Sequence, residues 1–249
     1  MIRTDLHIHT KYCDGKNTPE EMVLAAIEKG MECIGFSEHS HVPFDRTGGM
    51  AADDVPRYID EITLLKDRYR GRIEILCGIE QDYYSDYAAA DFDYVIGSVH
   101  YVKKDGVIFS IDETQEILKQ AVEEHYNGDI VSLAEDYYDA LAGVVEKTGA
   151  DIIGHFDLIS KYIESGVELD IDDTRYINAW KRAADGLISS GKLFEINTGA
   201  VARGWRSTPY PDIRIIDYIK QNGGRFILSS DSHSADTIAY GFDRFEYLI

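Results

Sequence analysis

The chain has 249 residues, of which 44% are hydrophobic and 28% charged, which excludes a disordered or collagen-like polymer and leaves one large domain or two small ones. Lys and Arg number 25 against 45 Asp and Glu, a net charge of −20; a field of that sign opposes broad contact with nucleic-acid backbone or anionic lipid but leaves room for a small anion held by a concentrated local positive charge. Three cysteines without a CxxC pair fit a reducing cytoplasm, no run approaches the ~18 apolar residues of a membrane span, and the polar, charged start predicts no signal peptide.

No Pro/Gly/Ser-rich linker, repeat or low-complexity tract interrupts the chain, so a single domain over residues 1–249 is expected. The first strand-like run is Thr4–His9. Thr18, Pro19 and Glu21 form a capping box that opens a helix ending at Gly30. Cys33–Ser37 is a short strand. Asp54 is expected to cap a second helix, with Val55, Tyr58, Ile62 and Leu65 at helical spacing. The strands Ile73–Asp82 and Tyr94–Val99 follow, joined by a polar, Tyr-rich loop. Helices are expected at about 112–126 and at 132–148, the latter capped by Ser132 and Glu135. Ile152–His155 is a short buried run, Asp172–Ser190 a helix, Leu193–Asn197 a strand, 212–222 a helix and Arg225–Ser230 the last strand. Seven strands, mostly separated by helices, imply a parallel α/β sheet, and a barrel related to the eight-fold one is preferred.

The chain contains eight histidines, and all but His125 fall at or near the C-terminal end of a predicted strand. In parallel α/β architectures that edge carries the active site. His125 continues a helical apolar face and is expected to be a packed residue. His7 and His9 are two apart on a strand and so share a face. The same spacing recurs in His39/His41, Glu80/Asp82 and Asp231/His233. Imidazoles and carboxylates in such numbers are ligands for zinc, manganese or iron. Nine of them, His7, His9, Asp14, His39, Glu80, His100, His155, Asp231 and His233, are expected to converge. One catalytic ion needs about three protein ligands, so two or three divalent ions are expected, with Glu80 or Asp231 able to bridge.

Asp5-Leu6-His7-Ile8-His9-Thr10, Ser37-Glu38-His39, Gly78-Ile79-Glu80, Gly97-Ser98-Val99-His100, Gly154-His155-Phe156-Asp157 and Ser230-Asp231-Ser232-His233 occur in that order. This series resembles the PHP (polymerase and histidinol phosphatase) superfamily, most closely its free-standing histidinol-phosphate phosphatases. The resemblance implies a distorted, TIM-barrel-like (β/α)7 barrel and a trinuclear metal centre. By motif position, His7, His9, Glu80 and Asp231 would hold one ion; Glu80, His100 and His155 a second; and His39 and His233 a third. Many relatives place a third His at that last site. Here Asp14 is the candidate, and an oxygen ligand there could alter the metal preferred.

Several divalent ions in one pocket attract phosphate, make hydroxide available at neutral pH and stabilise charge on phosphoryl oxygens. The expected reaction is therefore phosphomonoester hydrolysis by attack of a metal-bridging hydroxide, with L-histidinol phosphate as substrate, in histidine biosynthesis. A nucleotide, a sugar phosphate or phosphotyrosine is the alternative. Asp231 and His41 are the expected catalytic residues. His41, Lys161 and Arg203 are expected to bind substrate. An amidohydrolase, which also begins on HxH, would place a bridging Lys on a central strand, and Glu80 stands at the matching position. An inert, ligand-depleted module is disfavoured by the full ligand set. The expected partner is thus a small phosphorylated metabolite, with no nucleic acid and no membrane.

Overall fold

The computed structural model describes residues 2–45, 48–87 and 91–249. Its strands are β1 (Thr4–Asp5), β2 (Cys33–His39), β3 (Glu74–Asp82), β4 (Tyr94–Ser98), β5 (Tyr101–Lys104), β6 (Val107–Ser110), β7 (Ile152–Ile153), β8 (Leu193–Asn197) and β9 (Arg225–Ser229). Seven of them form one sheet in the order β1-β2-β3-β4-β7-β8-β9, with every pairing parallel. Just beyond the outer strands the sheet nearly closes on itself. Ile8 bridges Ser232 in parallel, the His9 amide donates to the Ser232 carbonyl at 2.9 Å, and the Ser232 amide donates to the His7 carbonyl at 3.0 Å. The fold is the distorted (β/α)7 barrel that the family resemblance implies, and a member of the barrel class to which the alternating pattern pointed.

Burial on both sides explains why the central strands lack polar alternation: all five residues of β4 and all but the last of β2 are buried. Residues two apart on a strand share a face, so Leu76, Gly78, Glu80 and Asp82 line one side of β3. Tyr94 crosses this interior, donating its hydroxyl to the carbonyls of Leu6 (2.5 Å) and Phe36 (3.0 Å). A Cβ on Gly78 would lie 2.3 Å from the Tyr94 ring and one on Gly35 2.4 Å from its hydroxyl, so these two glycines make the room. Tyr94, Ile96 and Ile152 pack there with Leu6, Leu76, Leu193 and Ile227, giving the site a solid floor.

The helices follow the expected signals with three adjustments. The capping box of Thr18 and Glu21 opens the helix Pro19–Glu28. Asp54, by contrast, makes no side-chain cap, because a 3₁₀ turn, Ala52–Asp54, already leads into Val55–Arg68. The expected 132–148 helix starts earlier and breaks at Gly143 into Ile130–Ala142 and Val144–Thr148. Its cap is Asp129, whose carboxylate accepts from the amides of Val131 and Ser132, while Ser132 donates its hydroxyl to Asp129 rather than capping. The hairpin β5–β6 was not among the expected elements. It turns on Asp105-Gly106, both at positive φ (49° and 86°), the backbone of a tight primed turn.

Arg175 donates to Asp129 at 2.8 Å and holds its carboxyl at about 2, below the ordinary 3.8. Asp129→Ala is expected to cost about 1 kcal/mol, the usual worth of such a cap. Because the folded-state value is depressed, the cap's charge-dependent part is fully present above about pH 4 and fades as pH falls toward 2. Denaturant melts of both forms at pH 7 and pH 2.5 check this: the gap between them should narrow at the lower pH.

Candidate metal centre and active site

The C-terminal ends of the barrel strands carry the candidate residues. Glu80, on β3, is at the centre and fully buried. Its Oε2 faces His7 Nε2 (3.3 Å), His9 Nε2 (3.6 Å) and His39 Nδ1 (2.7 Å). Its Oε1 faces His100 Nε2 (3.3 Å) and His155 Nε2 (2.9 Å), and accepts the Ser98 hydroxyl at 2.6 Å. Asp231, just past β9 with φ at 49°, points Oδ1 at His9 Nε2 (3.3 Å), His233 Nδ1 (3.6 Å) and His7 Nε2 (3.7 Å). Asp14 meets His233 Nε2 at 3.2 Å and His39 Nε2 at 3.8 Å. All nine residues singled out as ligands therefore meet on one rim, although they span the chain from position 7 to position 233.

Among the described residues four groupings place their ligand atoms within 4.8 Å of one another: His9, Cys13 and Glu38, on the far side of the His9 ring, and three around the rim, His7, His9 and Glu80; His39, Glu80 and His100; and His9, Asp14, His39 and His233. The three rim groupings overlap the three ligand sets implied by motif position. The difference is that His9 and His39 each stand between two of them, while His155 approaches from the Oε1 side of Glu80.

Divalent ions fit this arrangement. His7 Nε2 and His9 Nε2 are buried and lack hydrogen-bond partners, a costly state for polar atoms unless something charged satisfies them. Two donors each about 2.1 Å from one tetrahedral ion lie roughly 3.4 Å apart, within the range found here. The electrostatics agree. Burial pushes the Glu80 carboxyl up, but the facing His7, His39 and His100 rings outweigh it and hold it well below its usual value. Burial likewise pushes Asp231 up, and Arg203 and His7 overcome it. Burial, with His39 and His233 alongside, holds the His9 ring well below the usual imidazole range. Burial pulls His7 and His100 down too, but facing carboxylates, Glu195 and Glu80 for the one and Glu80 for the other, raise both well above it. Protons on those two rings neutralise carboxylate charge that a divalent ion would otherwise neutralise.

Two cavities open over the cluster. The larger, about 710 Å³, is lined by His39, His100, His155 and Asp231 together with Lys16, Lys161, Arg203 and Trp205. Arg203 donates Nη2 to Asp231 Oδ2 at 2.9 Å and Nη1 to the Asp231 carbonyl at 3.1 Å. Lys161 donates to the Asp112 carbonyl at 2.5 Å. The smaller cavity, about 210 Å³, is lined by carboxylates, Asp45, Asp82, Asp112 and Glu113, and by Tyr101. Tyr101 donates to Asp45 at 2.5 Å, and Phe44 packs edge-on against it at 4.9 Å between ring centroids.

Lys161 and Arg203 thus reach the site, and His41 does not. Its Nδ1 lies 3.2 Å from Asp86 Oδ1, and it lines neither cavity. The shared-face rule that linked it to His39 holds only along a strand, and β2 ends at His39. The sequence did not assign the partners of the rings' other nitrogens, although Asp82 stood out by its spacing from Glu80 and Cys13 by its place near the site. Glu195 accepts from His7 Nδ1 at 2.6 Å. Asp82 lies 3.2 Å from His100 Nδ1. Cys13 Sγ stands 3.5 Å from His9 Nδ1 and donates to Glu38 at 2.8 Å. The available signal was a carboxylate inside a fully apolar strand, as in Leu193-Phe194-Glu195-Ile196, since such a charge must be paired. His125 is a packed residue, as expected, stacked on Phe109 with centroids 5.4 Å apart.

Comparison with known proteins adds three findings. The family model for the PHP domain matches residues 5–199. A Deinococcus radiodurans protein named a probable histidinol-phosphatase is 29% identical, covering 96% of this chain and 89% of its own length, and the Bacillus subtilis histidinol-phosphatase is 26% identical over 98% of both. The solved structure of a Lactococcus lactis histidinol phosphate phosphatase, complexed with zinc, L-histidinol and phosphate, superposes with a TM-score of 0.76 at 24% identity, covering 99% of this chain and 92% of that one.

Proposed function

This chain belongs to the PHP domain family, and from that premise and the geometry of its rim we propose that it is a metal-dependent phosphomonoesterase acting as one domain over its length, with L-histidinol phosphate as substrate. The observation that carries the reading is Glu80, one buried carboxylate faced by five imidazoles, with Asp231 and Asp14 completing the ring of donors. Two or three divalent ions are held by His7, His9, Asp14, His39, Glu80, His100, His155, Asp231 and His233; zinc is favoured by the ligand in the related Lactococcus lactis structure. Such ions acidify water to give a nucleophile at neutral pH and stabilise charge on phosphoryl oxygens.

The chain's own residues do the rest. Arg203 and Lys161 bind phosphate from the larger cavity. Asp231, kept ionised beside Arg203, which donates to its Oδ2, orients the attacking water by accepting its hydrogen bond at Oδ1. Substrate choice follows from the charge of the two cavities. Lys16, Lys161 and Arg203 line only the larger cavity, Asp45, Asp82 and Tyr101 only the smaller, and Asp112 and Glu113 border both, so the site suits an ester with its phosphate toward the three cations and a protonated amine or imidazole toward the carboxylates. A nucleotide or sugar phosphate lacks that cationic end. The setting is cytoplasmic, consistent with three free cysteines, and among the described residues no helix is long and apolar enough to cross a membrane.

A substrate panel tests this reading. Histidinol phosphate should exceed nucleoside monophosphates, sugar phosphates and phosphotyrosine in kcat/KM, and equal rates across the panel would contradict it. Arg203→Ala should lower kcat/KM about 10- to 150-fold, the 1.5–3 kcal/mol of a charged hydrogen bond; steady-state kinetics of the variant check this, and an unchanged value removes Arg203 from the site.

A further inference from the structure

Glu195 touches neither cavity, yet it is fully buried beneath the cluster. Its two oxygens have different clients. Oε1 accepts from His7 Nδ1 at 2.6 Å. Oε2 accepts from the backbone amide of His155 at 2.8 Å and from Asn197 Nδ2 at 3.0 Å. Asn197 in turn accepts the Gly199 amide at 2.9 Å. Gly199 is where a Cβ would lie 2.8 Å from both Asp231 Oδ2 and Arg203 Nη2.

We propose that Glu195 is a positioning residue that holds His7 with Nδ1 outward and Nε2 inward and anchors the backbone of His155, so that one carboxylate sets two ligands approaching Glu80 from its opposite oxygens. An imidazole binds a metal through one nitrogen only when the other carries the proton, and the acceptor of that proton fixes which is which. With Nδ1–H given to Glu195, Nε2, which faces Glu80 and Asp231, is the nitrogen whose lone pair a bound ion would meet. The task needs an ionised carboxylate, because three donors converge on both oxygens. A glutamine has a single acceptor oxygen, and its amide group would turn hydrogens toward either His7 or the His155 amide.

This inference rests on the metal-dependent reading above, and its test separates the two. Zinc affinity of the unaltered protein and of Glu195→Gln is measured by competition with a chromophoric chelator, alongside thermal melting. Glu195→Gln should bind about 10- to 100-fold more weakly at the sites fed by His7 and His155, and should keep the affinity of the ion held by Asp14, His39 and His233. Added zinc should restore its kcat with KM unchanged. Wild-type affinity at every site, or an equal loss at all of them that follows a fall in melting temperature, would overturn the role. Absence of zinc binding by the unaltered protein would instead overturn the metal reading itself. Should Glu195→Gln fail to fold, nitrogen-resolved NMR of the zinc-loaded, unaltered protein decides, with the His7 signal assigned by its loss in His7→Gln. The proton is expected on Nδ1, and a proton on Nε2 would overturn the proposal.

Discussion

Glu80→Gln is expected to lower kcat/KM by about a thousandfold or more, roughly 4 kcal/mol of transition-state stabilisation, while the far-UV circular dichroism stays that of the native barrel. The substitution is nearly isosteric, and its effect is on charge. Glu80 presents one oxygen to His7, His9 and His39 and the other to His100 and His155, so no other side chain can stand in for it. A glutamine brings a single neutral acceptor oxygen and turns two amide hydrogens toward rings that must offer lone pairs. The Ser98 hydroxyl, which now donates to Oε1, can still donate to an amide oxygen, and so the floor of the site survives. Steady-state kinetics with parallel elemental analysis check this. A variant retaining a tenth of the activity and its full metal content would show that Glu80 is peripheral.

Chelator stripping is expected to abolish turnover and to lower the melting temperature together, and restoring divalent metal should reverse both. The link is mass action: a ligand bound only by the folded state at 100 times its dissociation constant stabilises by about 2.7 kcal/mol. For a chain of this size that corresponds to about 5–11 °C. The effect has a local origin in buried polar atoms without partners, His7 Nε2 and His9 Nε2, and in the carboxylates held ionised among them. Stripped of cations, these groups rely on protons at His7 and His100. Calorimetry before and after dialysis against chelator makes the measurement, and an unchanged melting temperature with full loss of activity would mean that the ions are bound too weakly to couple to folding.

The site was legible in the sequence because a parallel barrel exposes its strand ends on one rim, so a histidine or carboxylate placed just after an apolar run has little choice of destination. That reasoning located His100 after Ser98 and His155 after Gly154 from one-dimensional information. It failed for His41, where it assumed that strand alternation continued past the end of β2, and the chain turns there toward Asp86. It missed Glu195 because a single carboxylate in a buried strand does not say which residue pairs with it; His7 lies 188 positions away. The hairpin Tyr101–Ser110 carried a legible Asp105-Gly106 turn, but its strands are only four residues each and partly exposed, and the apolar Val107-Ile108-Phe109 is shorter than the runs that mark most of the barrel strands. The cap at Asp129 was misplaced by three residues because Ser132 and Glu135 offered an equally good motif. Both belong to the same cluster: Arg175 also binds Glu135 and Ser132.

Elemental analysis of the purified, metal-supplemented protein, joined to anomalous scattering from its crystals, tests the account most directly. Two or three divalent ions per chain are expected, each within bonding distance of atoms around Glu80, with Asp14 holding one of them. A chain that stays free of cations, or that binds them only away from Glu80, would contradict it.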